Sequence, residues 1–472
     1  MRTVTHFRTL AIGFVLVLTA AFGLTGCPDN HFDGGTGGAP SSGGGGGSAS
    51  LTALVLSAGT LNPSFSTGTT SYTTMVVNTS SLTVTPTATG GTITVNGSPV
   101  TSGAASGAIS LTPGSNVITV VLTDGSGPQT YTITVNYLAQ EAYVKASNPD
   151  ANDNFGASVS QSIALNGDTL VVGAWLEDSN ATGINGNQAD NSAGVSGAVY
   201  VFTRSPGVWS QEAYLKPSST GGSKAFGWSV ALNGNTLAVG APAEASNATG
   251  INGNEADTSL PASGAVYVFT RTAGVWSQQA YIKASNPNIN DNFGTNVAID
   301  GDTLAVGSNN EDSNATGING NQADNSATDS GAVYVFTRTA SVWSQQAYLK
   351  ASNTELGDQF GIRLALSSNT LAVSAYREDS NATGINGNQA DNSASNSGAV
   401  YVFTRTAGVW SQQAYVKASN TEAADGFGGS LALSGNTLAA SAPNKDSNAT
   451  GVDGNQADNS ASGAGAVYVL TY

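Results

Sequence analysis

The feature that most constrains this chain is a unit of about 67 residues that occurs five times in tandem between residues 140 and 472. Every copy contains a Phe-Gly dipeptide and two apolar stretches, separated by a long polar loop of nearly constant sequence. A tandem repeat of this length is typical of folds in which each copy packs against the next, such as propellers and solenoids. The Phe-Gly dipeptides begin at Phe155, Phe226, Phe293, Phe360 and Phe427.

Each copy predicts four β-strands. The first follows Phe-Gly and ends at a tight turn such as Asn233-Gly234. The second and third, for example 170–173 and 198–202, are apolar on both faces and must be covered on both sides. The fourth, for example 276–283, alternates and contains Gln and Lys, which predicts an exposed outer edge. This gradation from buried to polar is typical of propeller blades, whereas the coils of a β-helix are shorter.

The two ends of the repeat region predict how a ring of blades closes. Residues 142–145 match the fourth strand of a blade, but the first three strands of that blade do not precede them. Residues 466–470 match the third strand of a blade, and no fourth strand follows them. Pairing these two segments would complete a fifth blade. We therefore predict a five-bladed propeller of four-stranded blades over residues 139–472.

A different pattern, strict alternation of apolar and small polar residues, fills residues 51–138. It is clear at 92–95 and 130–135, and turn dipeptides such as Asn96-Gly97 and Pro113-Gly114 separate the segments. About seven antiparallel strands in fewer than 90 residues predict a β-sandwich. The predicted fold class is therefore all-β, with an N-terminal β-sandwich followed by the propeller.

The first 50 residues predict export rather than a folded domain. Arg2 and Arg8 precede an apolar run at 10–24, which is shorter than the roughly 20 apolar residues of a membrane span. Residues 1–26 therefore predict a secretory signal peptide. Residues 27–50 are rich in glycine and predict a flexible tether.

The end of the apolar run, Leu24-Thr25-Gly26-Cys27, resembles the lipobox of bacterial lipoproteins. The resemblance implies cleavage before Cys27, lipidation of its thiol and anchoring to a membrane through that lipid. The expected location is the bacterial envelope, at the outer membrane or the cell surface. The alternative is an ordinary leader that contains a cysteine by chance.

Two further resemblances concern the folded regions. Residues 54–61 and 70–72 resemble the bacterial cadherin-like β-sandwich domain. The resemblance implies a spacer or adhesion module, and it assigns no binding or catalytic residues to this chain. Phe226-Gly227, followed by Val-Gly-Ala-Pro at 239–242 and Gly-Ala-Val-Tyr-Val-Phe at 264–269, resembles the FG-GAP repeat of integrin α-subunit propellers. Integrin propellers have seven blades, whereas this chain has five copies.

Composition excludes several classes of site. The formal net charge is −16, which argues against nucleic acid as a partner because phosphate binding needs clustered Lys and Arg. The chain has one cysteine and two histidines, and none of the three lies beyond His31. Ser-His-Asp, Cys-His and zinc sites are therefore not available to the repeats.

The repeated polar loop predicts calcium as the candidate cofactor, because it places oxygen-bearing side chains at alternate positions. It is not the integrin calcium loop, which lies between the first and second strands. The alternative is that these residues are ordinary loop formers preserved by recent duplication. The second copy has Ala245 in place of the first aspartate and is expected to be the weakest site. The candidate ligands are Asp178, Asn180, Thr182 and Asp190, then Asp312, Asn314 and Asp324, then Asp379, Asn381 and Asp391, and then Asp446, Asn448 and Asp458.

Catalysis is not expected. Glycoside hydrolysis needs two carboxylates that face one bond, and the variable positions at the start of the first strands contain no Asp or Glu. Trp175 and Trp228 break the repeat and predict a binding surface. Four other tryptophans occupy one matching place in successive copies and predict blade packing, namely Trp209, Trp276, Trp343 and Trp410.

The sequence therefore predicts a non-catalytic lipoprotein of the cell envelope that binds an extracellular protein or glycan through its propeller. One alternative is a structural envelope protein whose repeats have no dedicated ligand. A second alternative is a polysaccharide hydrolase.

Overall fold

A computed structural model describes residues 48–157, 161–219 and 221–471, and the regular structure in these ranges is entirely β-strand. The chain forms two compact units that meet between Ala139 and Gln140. The predicted signal peptide, Cys27 and most of the tether lie outside the described residues. In the described ranges no helix is long and apolar enough to cross a membrane.

The described part of the first unit, residues 48–139, contains nine strands rather than about seven as expected. Its main sheet has five strands in the order β2-β9-β8-β5-β6, and two-stranded sheets pair β1 with β4 and β3 with β7. The strands are β1 (Leu51–Leu56), β2 (Ser71–Val77), β3 (Ser81–Leu82), β4 (Val84–Ala88), β5 (Thr92–Val95), β6 (Ser98–Val100), β7 (Ile109–Ser110), β8 (Gly114–Asp124) and β9 (Gly127–Leu138).

Alternation explains the sandwich core. In β9 the side chains of Tyr131, Ile133 and Val135 are fully buried, whereas the residues between them lie on the other face. The pairing is not wholly antiparallel as predicted, because β2 runs parallel to β9, with Tyr72 opposite Ile133. An alternating pattern reports which face is buried and does not report the direction of the neighbouring strand.

In the described residues of the second unit the strands form five successive antiparallel sheets, which we number as blades 1 to 5. Blade 1 is β10 (Ile163–Asn166), β11 (Thr169–Ala174), β12 (Ala198–Ser205) and β13 (Val208–Leu215); blade 2 is β14 (Ser229–Asn233), β15 (Thr236–Ala241), β16 (Ala265–Thr272) and β17 (Val275–Ile282); blade 3 is β18 (Asn296–Asp300), β19 (Thr303–Ser308), β20 (Ala332–Thr339) and β21 (Val342–Leu349); blade 4 is β22 (Arg363–Ser367), β23 (Thr370–Ala375), β24 (Ala399–Thr406) and β25 (Val409–Val416); blade 5 is β26 (Leu431–Ser434), β27 (Thr437–Ala442) and β28 (Ala466–Thr471).

Within each blade the strands are hydrogen-bonded in chain order, and the first strand of one blade packs against the first strand of the next. The second and third strands are apolar on both faces because they lie between neighbouring blades. Val199 and Val201 of blade 1, for example, belong to one buried cluster with Phe226 and Val230 of blade 2. The arrangement is a five-bladed propeller-like fold, as the repeat predicted.

The glycine of Phe-Gly is required by the approach of one blade to the next. Gly294 has φ +93°, and a Cβ atom on Gly240 of blade 2 would lie 2.0 Å from the Gly294 carbonyl oxygen. A Cβ on Gly240 would force these two backbones apart, whereas the junction of blades 4 and 5 has Ser374 at the equivalent position. These contacts therefore set the spacing between neighbouring blades.

Two details of the prediction are wrong. Residues 142–145 form no strand and do not pair with β28, so the sheet of blade 5 has three strands rather than four. The lysine at the end of each fourth strand is also not on an exposed edge. Lys216 is fully buried, because the loop that follows β11 covers it.

Candidate functional site

The repeated loops connect the second and third strands of each blade, and their first aspartate holds the loop closed. Asp178 Oδ1 accepts the backbone N–H of Val195 at 2.7 Å, and the Asp178 carbonyl accepts the N–H of Ala193 at 2.8 Å. The equivalent carboxylates accept a backbone N–H in the same way at Asp312, Asp379 and Asp446.

The second aspartate of the loop makes a local turn. Asp190 Oδ1 accepts the backbone N–H of Ser192 at 2.8 Å, and hydrogen bonds from Ser192 lower the pKa of Asp190 below its usual value. Asn180 and Thr182 lie exposed on the same loop. The same aspartate turn recurs at Asp324, Asp391 and Asp458.

These contacts give the loop carboxylates a structural role without a metal ion. The described residues contain no group of three or more His, Cys, Asp or Glu side chains placed to hold one. Calcium binding by the loops therefore stays a prediction, and the ligands available to an ion would be the remaining carboxylate oxygens and backbone carbonyls.

A buried ion pair that the sequence analysis missed lies under each of the first four loops. In blade 1, Glu177 accepts hydrogen bonds from Lys216 Nζ at 2.8 Å and from the Tyr214 hydroxyl at 2.7 Å, and Lys216 also donates to Ser196 Oγ. Both charged side chains are at most 1% exposed. The same pair is Lys283–Glu244, Lys350–Glu311 and Lys417–Glu378 in blades 2 to 4.

Burial dominates the electrostatics of these networks. It lowers the pKa of Lys350 although Glu311 opposes the shift. It raises the pKa of Asp291, beside Glu311, to about 7, and the pKa of Asp358, beside Glu378, to about 8. A sequence signal for the pairs existed, because Glu precedes Ser-Asn by two residues and Tyr-x-Lys ends the fourth strand in four copies.

Blade 5 reverses this charge arrangement. Lys445 occupies the position of the glutamate, and its Nζ lies 2.6 Å from Glu422 and 3.8 Å from Asp425. The Lys445 side chain is 1% exposed and the Glu422 side chain 39%, so only the carboxylate of this ion pair reaches solvent. Blade 5 therefore also places a cation beside carboxylates. In this blade the lysine lies on the loop after the second strand, where the other blades have the glutamate.

The two tryptophans that break the repeat lie in contact. Trp175 directly follows β11 of blade 1, Trp228 directly precedes β14 of blade 2, and their ring centroids are 4.8 Å apart at an interplanar angle of 70°. Both side chains are half-buried. Each indole Nε1 is buried and has no hydrogen-bond partner among the residues that the structure describes. We call Trp175 and Trp228 the tryptophan pair.

Trp175 and Trp228 occupy two positions of the repeat at which the otherwise similar copies have different residues. The two positions also lie next to each other in blade 5, where a Cβ on Gly429 would be 2.8 Å from the ring of Pro443. In blade 4 the Arg377 guanidinium lies 5.4 Å from the centroid of Tyr376. The first set, directly after the second strand of each blade, is Trp175, Pro242, Asn309, Tyr376 and Pro443. The second set, two positions after the Phe of each Phe-Gly, is Ala157, Trp228, Thr295, Ile362 and Gly429.

The tryptophans at one matching place in blades 1 to 4 were predicted to pack blades, and in blades 2 to 4 they bond to the preceding blade. Trp276 Nε1 of blade 2 donates to Glu212 of blade 1 at 3.0 Å, and Arg271, stacked on Trp276, donates to the same carboxylate at 2.9 Å. Blades 3 and 4 repeat this contact with Gln279 and Gln346 as acceptors. These residues hold blades together and leave the tryptophan pair as the candidate binding site.

Fold and site together define a propeller-like repeat protein with a β-sandwich unit before the repeats. The FG-GAP repeat matches at 138–202, 209–269, 276–336, 343–403 and 410–470, more than half of the chain. The chain therefore belongs to the FG-GAP repeat family. The cadherin-like beta sandwich domain matches residues 51–137.

No curated protein matches the chain. Among solved structures, a DUF4623 family protein from Bacteroides eggerthii is similar over 90% of this chain and 82% of its own, with 9% identity and a TM-score of 0.31. A DUF4784 family protein from Bacteroides caccae is similar over 77% of this chain and 96% of its own, with 7% identity and a TM-score of 0.20.

Proposed function

We propose that this chain is a bacterial envelope lipoprotein that binds a neutral glycan, without catalysis, through the tryptophan pair. The observation that supports the proposal is the contact between Trp175 and Trp228, the two tryptophans that break the repeat, with neither indole N–H bonded to any of the described residues. In this proposal the lipid on Cys27 anchors the protein, and the glycine-rich segment spaces the folded units from the membrane.

The chemistry of a sugar suits this pair. Indole rings provide a large apolar surface for the C–H face of a pyranose and a polar N–H for one of its oxygens. A buried donor without an acceptor costs about 1–3 kcal/mol, so an ordered water, or a ligand oxygen that reaches Trp175 or Trp228 when the rings shift on binding, removes that cost. The formal net charge of −16 repels anionic ligands at long range and therefore favours a neutral glycan.

The repeats supply the variants that test the site. Trp175→Pro introduces the residue that blades 2 and 5 have at this position, and Trp228→Thr introduces the residue of blade 3. Tyr376→Pro is the matched control, since it makes the same kind of exchange in blade 4. Because each new residue already occupies the equivalent place in another blade, the variants should fold.

The experiment is a glycan array with the full chain, followed by titration of the best neutral glycan by calorimetry. We expect each tryptophan variant to bind at least about tenfold more weakly, as for residues at the centre of an interface, and the Tyr376 control to bind normally. Unchanged affinity in both tryptophan variants would overturn the site. Binding only to proteins would overturn the ligand class, and sugar turnover would overturn the absence of catalysis.

The anchor has its own test. Cells grown with an alkyne-tagged fatty acid should label the wild-type chain, and Cys27→Ser should remove both the label and the sedimentation of the protein with membranes. Labelling that persists in Cys27→Ser, or a wild-type chain that is never labelled, would refute the lipoprotein proposal and leave the glycan site unaffected.

A further inference from the structure

The outer edge and one face of blade 5 lack the cover that the other blades have. Val467 and Val469 of β28 are 66% and 70% exposed, whereas the equivalent Val199 and Val201 of blade 1 are fully buried. Beside β28 lies a cleft of about 990 Å³, whose lining includes Lys417 and Lys445. In blades 1 to 4 a fourth strand and the next blade fill the corresponding space.

The complementary surface lies at the other end of the propeller unit. Glu141 accepts hydrogen bonds from Arg204 at 2.8 Å and from Trp209 at 3.2 Å, as Glu212 does from the next blade. Residues 141–146 therefore lie where the fourth strand of a preceding blade would lie. Tyr143 in this segment is nevertheless 80% exposed.

The first strand of blade 1 also lacks the cover that the equivalent strand of blade 2 has. Ile163 and Leu165 of β10 are 51% and 64% exposed, whereas Val230, which blade 2 places against blade 1, is fully buried. Blade 1 thus exposes the face that blades 2 to 5 pack against the preceding blade. Blade 5 exposes the face that blades 1 to 4 pack against the following blade. The two faces match the two sides of an interface that the chain already makes four times between its own blades.

The blade contacts argue against covering these surfaces within one chain. The carbonyl oxygen of the glycine after Phe lies 2.0–2.1 Å from where a Cβ would stand on the preceding blade, at Gly173, Gly240 and Gly307. Backbones packed this closely leave little room to change the angle between blades. With these contacts formed, β28 and residues 141–146 do not cover each other, as the exposure of Val469 and Tyr143 shows.

We propose that residues 141–146 and blade 1 of one copy of this chain complete blade 5 of a second copy, in a head-to-tail assembly. The register follows from blade 1, where Tyr200 lies opposite Tyr214 and Val201 opposite Ala213. It places Tyr143 opposite Tyr468 and Ala142 opposite Val469. Such a heterologous contact, made by adding a strand to a free edge, builds rings or open filaments.

The charges in blade 5 suit this occupant. In the proposed register Lys145 takes the place that Lys216 has in blade 1, and it arrives near Lys445. Two carboxylates, Glu422 and Asp425, already lie beside Lys445, so the two ammonium groups would meet two carboxylates. The completed site would therefore be neutral, which reduces the cost of burying it.

Cysteine cross-linking in the full chain tests the proposal. Cys27 is the only cysteine, so Cys27→Ser provides a clean background. Ala142→Cys and Val469→Cys are made in separate chains, mixed and oxidised mildly. We expect a disulfide-linked dimer from the mixture, and a ladder of multimers from one chain that contains both cysteines. The matched control is Val201→Cys with Ala213→Cys in blade 1, a paired position that should link within one chain.

Each result decides the proposal. A double variant that links only within single chains, with no dimer from the mixture, would show that the ring closes on itself and would overturn it. Linking in the control but in neither test sample would also overturn it, because the two edges would then not meet. Sedimentation velocity of the cysteine-free background gives a second measurement, in which Val469→Lys should abolish concentration-dependent association.

Discussion

Blades 3 and 5 share the segment Ala-Val-Tyr-Val in their third strands, at 332–335 and 466–469, yet its burial differs completely. Val335 is fully buried between blades, whereas Val469 is 70% exposed. Since the residues are the same, the difference comes from the neighbours. In a repeat fold the stability of a unit depends on its interfaces as well as on its own sequence.

The charged groups show the same contrast. Glu311 and Lys350 of blade 3 form an ion pair with both side chains at most 1% exposed, whereas Glu422, the partner of Lys445 in blade 5, is 39% exposed. A buried pair is costly to break because the remaining charge has neither water nor partner, whereas the pair of blade 5 has one partly solvated side chain and a second carboxylate near its lysine. The position of a blade in the array therefore decides what its charges contribute.

The largest effect should come from breaking the buried pair. Glu311→Ala leaves Lys350 charged and enclosed, and we expect it to lower the free energy of unfolding by about 3–5 kcal/mol. Glu422→Ala should cost less, about 1–2 kcal/mol, because Glu422 is 39% exposed and Asp425 stays beside the buried Lys445. Urea unfolding followed by tryptophan fluorescence measures both. The control, Glu311→Leu with Lys350→Met, should recover most of the loss, and equal losses in blades 3 and 5 would contradict the comparison.

Truncating the matched valines should give the next largest difference. Val335→Ala removes buried apolar surface, and we expect a loss of about 1.5–3 kcal/mol. Val469→Ala should change stability by less than about 0.5 kcal/mol in dilute solution, as for other surface positions. Thermal unfolding at several protein concentrations makes the measurement. A large loss for Val469→Ala at the lowest concentration would show that β28 is covered within a single chain.

The pH dependence of stability should separate Asp358 from Asp425. Burial and the nearby Glu378 raise the pKa of Asp358 to about 8, so the folded protein holds a proton that the unfolded chain releases near pH 4. The stability contributed by this proton is therefore complete below pH 4 and is lost as the pH rises to about 8. Burial also raises the pKa of Asp425, but Lys445 opposes the shift.

Asp358→Asn should flatten this pH dependence and stabilise the protein by about 1–3 kcal/mol at pH 8.5, because it removes a buried charge that forms no ion pair among the described residues. Asp425→Asn should give little or no gain, since it removes a partner of Lys445. Urea unfolding from pH 5 to 9 measures both variants. A wild-type stability that does not fall over this range would refute the titration of Asp358.

The smallest effect concerns the loops. One oxygen of each first aspartate already accepts a backbone N–H, so a calcium ion would add only a few contacts. We expect millimolar calcium to stabilise the propeller unit by about 1.4 kcal/mol, the value for a ligand tenfold above its dissociation constant. The effect should disappear when Asp178, Asp312, Asp379 and Asp446 become Ala. The second loop, with Ala245, serves as the internal control, and the absence of any calcium-dependent shift would leave the loops as turns.

Much of the fold could be predicted because it follows from local pattern. The period of the repeat, the four strand positions and the turn at Asn233-Gly234 are properties of neighbouring residues, and the structure confirms them. The tryptophan pair could be found because Trp175 and Trp228 interrupt an otherwise regular sequence. Their contact across two blades could not, since it joins positions more than fifty residues apart.

The buried ion pairs were missed for a physical reason. A lysine in an alternating strand looks like an exposed edge residue, and Lys216 lies 39 residues from Glu177 along the chain. Only the folding of the loop over the strand brings the two charges together and removes water from both. A carboxylate and an ammonium group are stable in that place because each satisfies the other.

The amino-acid sequence by itself determined an all-β chain, a sandwich before five tandem blades, and the positions at which those blades differ. The tertiary structure alone decided which charges are buried, which tryptophans meet and which edges stay free. The predicted pairing of residues 142–145 with β28 was wrong because it depends on the angle between blades. That angle results from backbone contacts such as Gly240 against Gly294, which join residues more than fifty positions apart, so the pattern of neighbouring residues does not report it.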